Sequence, residues 1–171
     1  MSKQLSLKMI KEENKKYDEV IDLTFTRGDE EFVIKVNPYF SPLKIKNLLK
    51  EYKQFIDNTE KEKVKITDEE KLEIIPCFMI KEFTDINFGT AKTAKSVFAN
   101  FKALMNHIMF KEIVNAFPET SKVSVLEEIN DRIGEGAKIQ RLFEQTQEEL
   151  KNLPLENKEV LFGVKDEHKE S

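Results

Sequence analysis

The chain has few side chains of the kinds that do chemistry, and their spacing decides what they can do. Its two histidines lie far apart, His107 within an apolar helical pattern and His168 near the C-terminus. A zinc site needs several Cys or His ligands at short spacings. The one cysteine, Cys77, lies in the apolar run IIPCFMI, away from both histidines. There it is expected to act as a small buried hydrophobe, and alone it forms no internal disulfide. Nucleophilic catalysis needs a Ser or Cys beside a base and a group that orients the base, and neither histidine has such a setting. The acidic pairs Glu127-Glu128 and Glu148-Glu149 fall on charged helix faces, where solvent is the expected partner. Gly134-Glu135-Gly136 lacks the Lys-Ser/Thr ending and the preceding strand of a phosphate loop, and five glycines in all leave no glycine-rich cofactor loop. No catalytic, cofactor-binding or metal-ligating residue is expected, and no enzyme.

Arg27-Gly28-Asp29 spells an adhesion tripeptide, but its flanks read as strands. Ile21, Leu23 and Phe25 alternate with polar residues before it, and Phe32, Ile34 and Val36 alternate after it, the period of half-buried β-structure. Gly28 takes positive φ without steric cost and Asp29 tolerates turns, so a loop of three to five residues is expected to close a hairpin. One apolar face of that hairpin then needs a helix over it, because a lone two-stranded sheet is marginal in water.

Asn37-Pro38 ends the second strand, since proline removes a ladder donor. Ser41-Pro42 reads as an N-cap followed by proline at the first helical position. Ile45, Leu48, Leu49, Tyr52, Phe55 and Ile56 follow as one apolar stripe, the natural cover for the hairpin. DNTEKEKVKI, residues 57–66, reads as a charged linker. Thr67 and Glu70 form a capping box ahead of a helix that is apolar nearly all round from Ile74 to Ile80. That helix should be the most buried element, with Pro76 kinking or restarting it. A third helix, starting at Gly89, Thr90 or Thr93, carries Val97, Phe98, Phe101, Leu104, Met105, Ile108 and Met109. At about 100° per residue these span an arc of roughly 140°, wider than one core contact needs. FKEIVNAF is expected to form a short helix ending at Pro118. Leu126, Ile129 and Ile133 form a further stripe, and Ile139, Leu142, Phe143 and Leu150 another, with Gly134 and Gly136 breaking or bending the helix between.

The expected fold is therefore mainly α: an N-terminal β-hairpin packed on a multi-helix bundle, with a flexible C-terminal tail. Residues 1–16 form a partly flexible lead, 17–153 a single domain (hairpin 17–37, helices 41–153), and 154–171 the tail. The length of 171 residues suits one domain with a real core. Charged residues make up 35% and the large apolar classes 39%, so much surface is solvated for the core available. Thirteen Phe against three Tyr and no Trp bring burial without a polar handle. A net charge of −4 and a pI near 5.5 argue against a nucleic-acid partner. Lys3, Lys8, Lys11, Lys15 and Lys16 make the N-terminus locally basic, without aromatic interleaving. No run approaches the roughly 18–20 apolar residues of a membrane span, and no apolar segment of signal-peptide length opens the chain, so a reducing cytoplasm is the expected compartment.

The run FMIKEFTDI (78–86), then MFKEIVNAFPE (109–119) and VLEEINDRI (125–133), resembles tail assembly chaperones of siphophages and related prophages from Gram-positive hosts. The hairpin followed by SPLKIKNLLKEY is similar to the N-terminal part of the same family, and the resemblance covers roughly residues 17–150. It implies a non-enzymatic helper that binds the tape measure protein, helps recruit tail tube protein and is absent from the mature virion, working in the bacterial host cytoplasm. It carries over no catalytic residues and no cofactor. A protein covering an aggregation-prone client needs accessible apolar surface and enough charge to stay soluble. Phe101, Met105 and Met109, on the wide arc of the third helix, are the residues expected to contact client or a second copy. Two other readings remain open: a structural tail or neck component retained in the virion, and a small cytoplasmic regulator that binds a partner protein.

Overall fold

The computed structural model describes residues 3–132. It is mainly α with one antiparallel hairpin near the N-terminus, as the sequence leads one to expect. In chain order the elements are α1 (Leu7–Glu13), a 3₁₀ segment (Asn14–Asp18), β1 (Ile21–Arg27), β2 (Glu30–Val36), α2 (Pro42–Lys61), α3 (Asp68–Glu73), α4 (Ile75–Phe83), α5 (Ala94–Met105) and α6 (Phe110–Ala116). A last described helix, α7, occupies residues 119–132. The chain's contacts divide it into Met1–Glu128 and Ile129–Ser171. The stripe from Ile139 to Leu150, the glycine pair and the expected tail lie outside the described residues.

The hairpin is tighter than expected. Arg27 pairs with Glu30, which leaves a two-residue turn of Gly28 and Asp29. Gly28 has φ +63 and takes the first central position, the one a type II′ turn gives to glycine because φ there is positive. The pairing runs without a bulge from Arg27↔Glu30 to Ile21↔Val36. The hairpin is bonded to the end of α4, while α2, its expected cover, makes its main contacts with α4 and α5. Asn37 donates to the Phe83 carbonyl at 2.8 Å, Asp85 donates to the Lys35 carbonyl at 3.1 Å, and the Lys35 N–H donates to Asp85 Oδ1 at 2.9 Å. The apolar stripe of α2 packs on α4 and α5, burying Ile45, Leu48, Leu49 and Phe55. α2 also runs on to Lys61, through half of the expected linker, because Thr59 is buried and its hydroxyl donates to the Ile56 carbonyl at 2.7 Å.

α4 is the central element, packed against α2, α3, α5 and α6, with Ile75, Cys77, Phe78, Met79, Ile80 and Phe83 all buried. Pro76 restarts the helix rather than kinking it. Ile74 closes α3 and precedes α4, so proline falls in the first turn, where its missing N–H leaves no bond unmade. Thr67 and Glu70 form the expected capping box, each side chain accepting from the other's backbone N–H. Thr67→Ala removes one of these bonds and is expected to cost about 1 kcal/mol, read as a lower midpoint in urea denaturation with an unchanged slope.

Most of the phenylalanines fall into two aromatic groups. Phe55, Phe78, Phe88, Phe98 and Phe101, with Tyr52, fill the space between α2, α4 and α5. Phe40, Phe83 and Phe117 tie the entrance of α2 to the ends of α4 and α6, Phe40 stacking on Phe83 at 3.6 Å between centroids and meeting Phe117 edge-on at 5.0 Å. The N-terminal lead contains a short helix, α1. Ser6 caps α1 by accepting from the Met9 N–H at 3.3 Å, although α1 buries none of its residues.

Candidate protein-interaction surface

α5 begins at Thr93, the last of its three expected starts, where Thr93 and Ser96 form a second capping box. Glu62, at the end of α2, adds its carboxylate to the same helix start, accepting from the Ala94 N–H at 3.0 Å. The helix ends at Met105, short of the expected run to Met109. The turn after it is pinned by three bonds: His107 N–H to the Leu104 carbonyl and Phe110 N–H to the His107 carbonyl, both at 3.0 Å, and Met109 N–H to His107 Nδ1 at 3.2 Å. His107 is thus an acceptor through Nδ1 and a turn-maker.

This turn changes where the expected contact residues lie. Phe101 is 1% exposed and Met109 5%; both belong to the core, and an accessible face built on all three residues does not form. Phe101 meets Phe78 edge-on at 4.9 Å. Met105 alone is half-buried. The reason is steric: Ile108 and Met109 are consecutive, and a pinned turn that sends Met109 inward sends its neighbour out. Ile108 is 86% exposed.

The hairpin tip lies beside this turn. Phe25 and Phe32, partners across the strands, stack at 5.3 Å, and the Phe25 ring meets the His107 ring edge-on at 6.4 Å. Phe32 keeps more than a third of its surface exposed. Phe25, Phe32, His107 and Ile108 therefore form an accessible apolar surface on a charged body. The sequence placed Phe25 and Phe32 on the covered face of the hairpin. A signal for their exposure was present, because Arg27 and Glu30 share that face two residues further on.

The other chemically notable groups are inward or structural. Burial pushes the Cys77 thiol up to about 12, so it stays protonated and unreactive at neutral pH. Among the described residues no three His, Cys, Asp or Glu side chains gather as a metal cluster, and no helix is long and apolar enough to cross a membrane. Glu82, half-buried on α4, has its carboxyl raised above the ordinary value of 4.5 by burial and by the nearby Glu51, against the pull of Lys44 and Lys81. A carboxyl raised in the folded state binds its proton more tightly there than in the unfolded chain. Its effect on stability is therefore neutral below the ordinary value and becomes a penalty as pH rises through the folded one. Glu82→Gln is expected to be more stable than the parent at pH 7, with the difference closing as pH falls below 4.5, which paired thermal melts over pH 3.5–7.5 would show at about half-unit steps.

Residues 7–166 match the model of the YomO family. No curated protein and no solved structure matches the chain. The matched span takes in α1, the hairpin and every later described element. The chain belongs to the YomO family, a family of phage-associated proteins.

Proposed function

We propose that this chain is a non-enzymatic tail assembly chaperone of a phage or prophage. It binds the tape measure protein, helps recruit tail tube protein, works in the cytoplasm of the bacterial host and leaves before the virion is complete. The observation that carries this reading is the apolar surface made by the exposed Phe32 and Ile108 with the half-buried Phe25, whose ring meets that of His107. The phage association of the family supports it, as do the stretches that resemble tail assembly chaperones.

A tape measure protein is a long chain with apolar stripes that self-associate when exposed. Shielding such a stripe takes accessible aromatic and branched side chains, set among enough charge to keep the complex in solution. The exposed residues supply the first and the 35% charged composition the second. Phe101 contributes indirectly, by holding α5 and hence the turn that presents Ile108.

The test is co-purification from cells making both proteins. The tape measure protein is expected to be retained by the tagged chain, and Phe32→Ser with Ile108→Ser is expected to weaken retention at least ~10-fold, about 1.4 kcal/mol, with the melting temperature nearly unchanged. Failure to retain it, together with recovery of this chain in stoichiometric amounts from purified virions by mass spectrometry, would replace the chaperone by a structural tail or neck component.

A further inference from the structure

We propose that two copies of this chain pair through β1, edge to edge and antiparallel, to make a four-stranded sheet in the order β2–β1–β1–β2. The inference goes beyond the chaperone reading and does not depend on it.

It starts from which backbone groups are free. Lys35 gives its N–H to Asp85 Oδ1 and takes the Asp85 N–H on its carbonyl, so both its backbone groups point away from β1. Its partner across the hairpin is Asp22. In an antiparallel ladder bonded and non-bonded pairs alternate, so the backbone groups of Asp22, Thr24 and Thr26 point outward from β1. Among the described residues nothing pairs with them. β1 has neither proline, lysine nor bulge to guard its open edge, and its charged side chains are Asp22 and Arg27.

Burial across the sheet points the same way. Within one cross-strand pair Val36 is 0% exposed and Ile21 43%. In the next, Ile34 is buried and Leu23 half-buried. At the end of the hairpin away from the turn, the body thus covers β2 more than β1 and leaves Ile21 and Leu23 partly open along the unpaired edge, whereas at Phe25↔Phe32 the order reverses, with Phe25 half-buried against His107 and Phe32 exposed.

A second copy fits this edge by symmetry. A two-fold axis through an antiparallel strand pair stands perpendicular to the sheet, so each strand's apolar face stays on the same side. With the axis at Thr24, all three outward-pointing residues bond: Asp22 with the other copy's Thr26, Thr24 with Thr24, and Thr26 with Asp22. Leu23 then lies opposite Phe25, and within the strands no like charges oppose one another; beyond them Glu19 falls level with Asp29 in the turn of the other copy. Arg27 has Glu19 of the other copy as a same-face diagonal neighbour, within reach of long side chains. Among the described residues neither Arg27 nor Glu19 makes an ion pair within its own chain.

Disulfide trapping in the full-length protein tests both the pairing and its register. Facing residues in a bonded antiparallel pair have Cα atoms about 5.5 Å apart, within disulfide reach, and Cys77 is buried and silent. Under mild oxidation Thr24→Cys is expected to give a covalent dimer. Asp22→Cys alone is not, whereas a mixture of Asp22→Cys and Thr26→Cys chains is. Thr24→Lys sets two cations opposite each other and is expected to weaken the dimer at least ~10-fold by light scattering. Mixing it with Thr24→Glu should restore the dimer mass, with circular dichroism unchanged throughout. Three results would overturn the proposal: a wild-type chain that stays monomeric at its highest soluble concentration, a dimer indifferent to Thr24→Lys, or a monomer whose Asp22, Thr24 and Thr26 amides resist hydrogen exchange, since another segment of the same chain would then hold the edge.

Discussion

Replacing Phe101 by alanine is expected to destabilise the protein by about 3–5 kcal/mol, the range for deleting a buried aromatic ring that neighbours cannot collapse to replace. Its ring is 1% exposed and sits among Phe55 at 6.0 Å, Phe78 at 4.9 Å and Phe88 at 6.1 Å. The Cys77 thiol lies against its backbone carbonyl at 4.0 Å. A cavity there loosens α2, α4 and α5 together, and against a typical total of about 5–15 kcal/mol it takes a large share of the stability. Urea denaturation gives the number directly. A loss under ~1 kcal/mol would mean that Phe101 is a surface residue after all. Phe101→Leu separates the two roles further: it should keep most of the stability and all of the client binding, because the side chain supports the contact surface without belonging to it.

Phe83→Ala should cost a similar ~3–5 kcal/mol, with a more local signature. Phe83 is fully buried, stacks on Phe40 and has Lys44 Nζ 5.8 Å above its ring. Its carbonyl accepts from Asn37, the first residue after β2. Removing the ring withdraws support from the place where, among the described residues, the hairpin is bonded to the end of α4. Amide exchange at Lys35, Asn37 and Asp85 should therefore speed up more than exchange within α5. Phe40→Ala opens the same stack, so the double variant should lose less than the sum of the two single losses, as expected for residues in direct contact. Uniform loss of protection across the hairpin and α5 would contradict this division of the core.

What could be read from the sequence was local. Ser41-Pro42 and Thr67…Glu70 announce helix starts because a cap is made by residues three apart, and the hairpin shows in its period of two. The all-round apolar run of α4 likewise marks the buried centre. What could not be read depended on partners far along the chain. The Lys35–Asp85 bonds span 50 residues, and no pattern in either segment names the other, so α2 looked like the hairpin's cover. Ser121 is polar, yet it is buried with its hydroxyl donating to the Pro38 carbonyl 83 residues away at 2.7 Å. It and Val125 form the inward stripe of α7, while Leu126, chosen for its hydrophobicity, is exposed. α1 escaped because Leu7, Met9 and Ile10 share no single helix face. The candidate surface suffered from the same limit: Ile108 and Met109 fit one broad arc on an unbroken helix, and only the His107 turn sends one out and the other in.

The most direct test of chaperone function is the soluble yield of the tape measure protein from the same phage, made alone and together with this chain. Chaperone function predicts that the tape measure protein is largely insoluble alone and becomes soluble on co-expression. The rescue should persist with Phe101→Leu and fall with the paired Phe32→Ser and Ile108→Ser substitutions. A tape measure protein that stays insoluble beside a folded, abundant chain would contradict it.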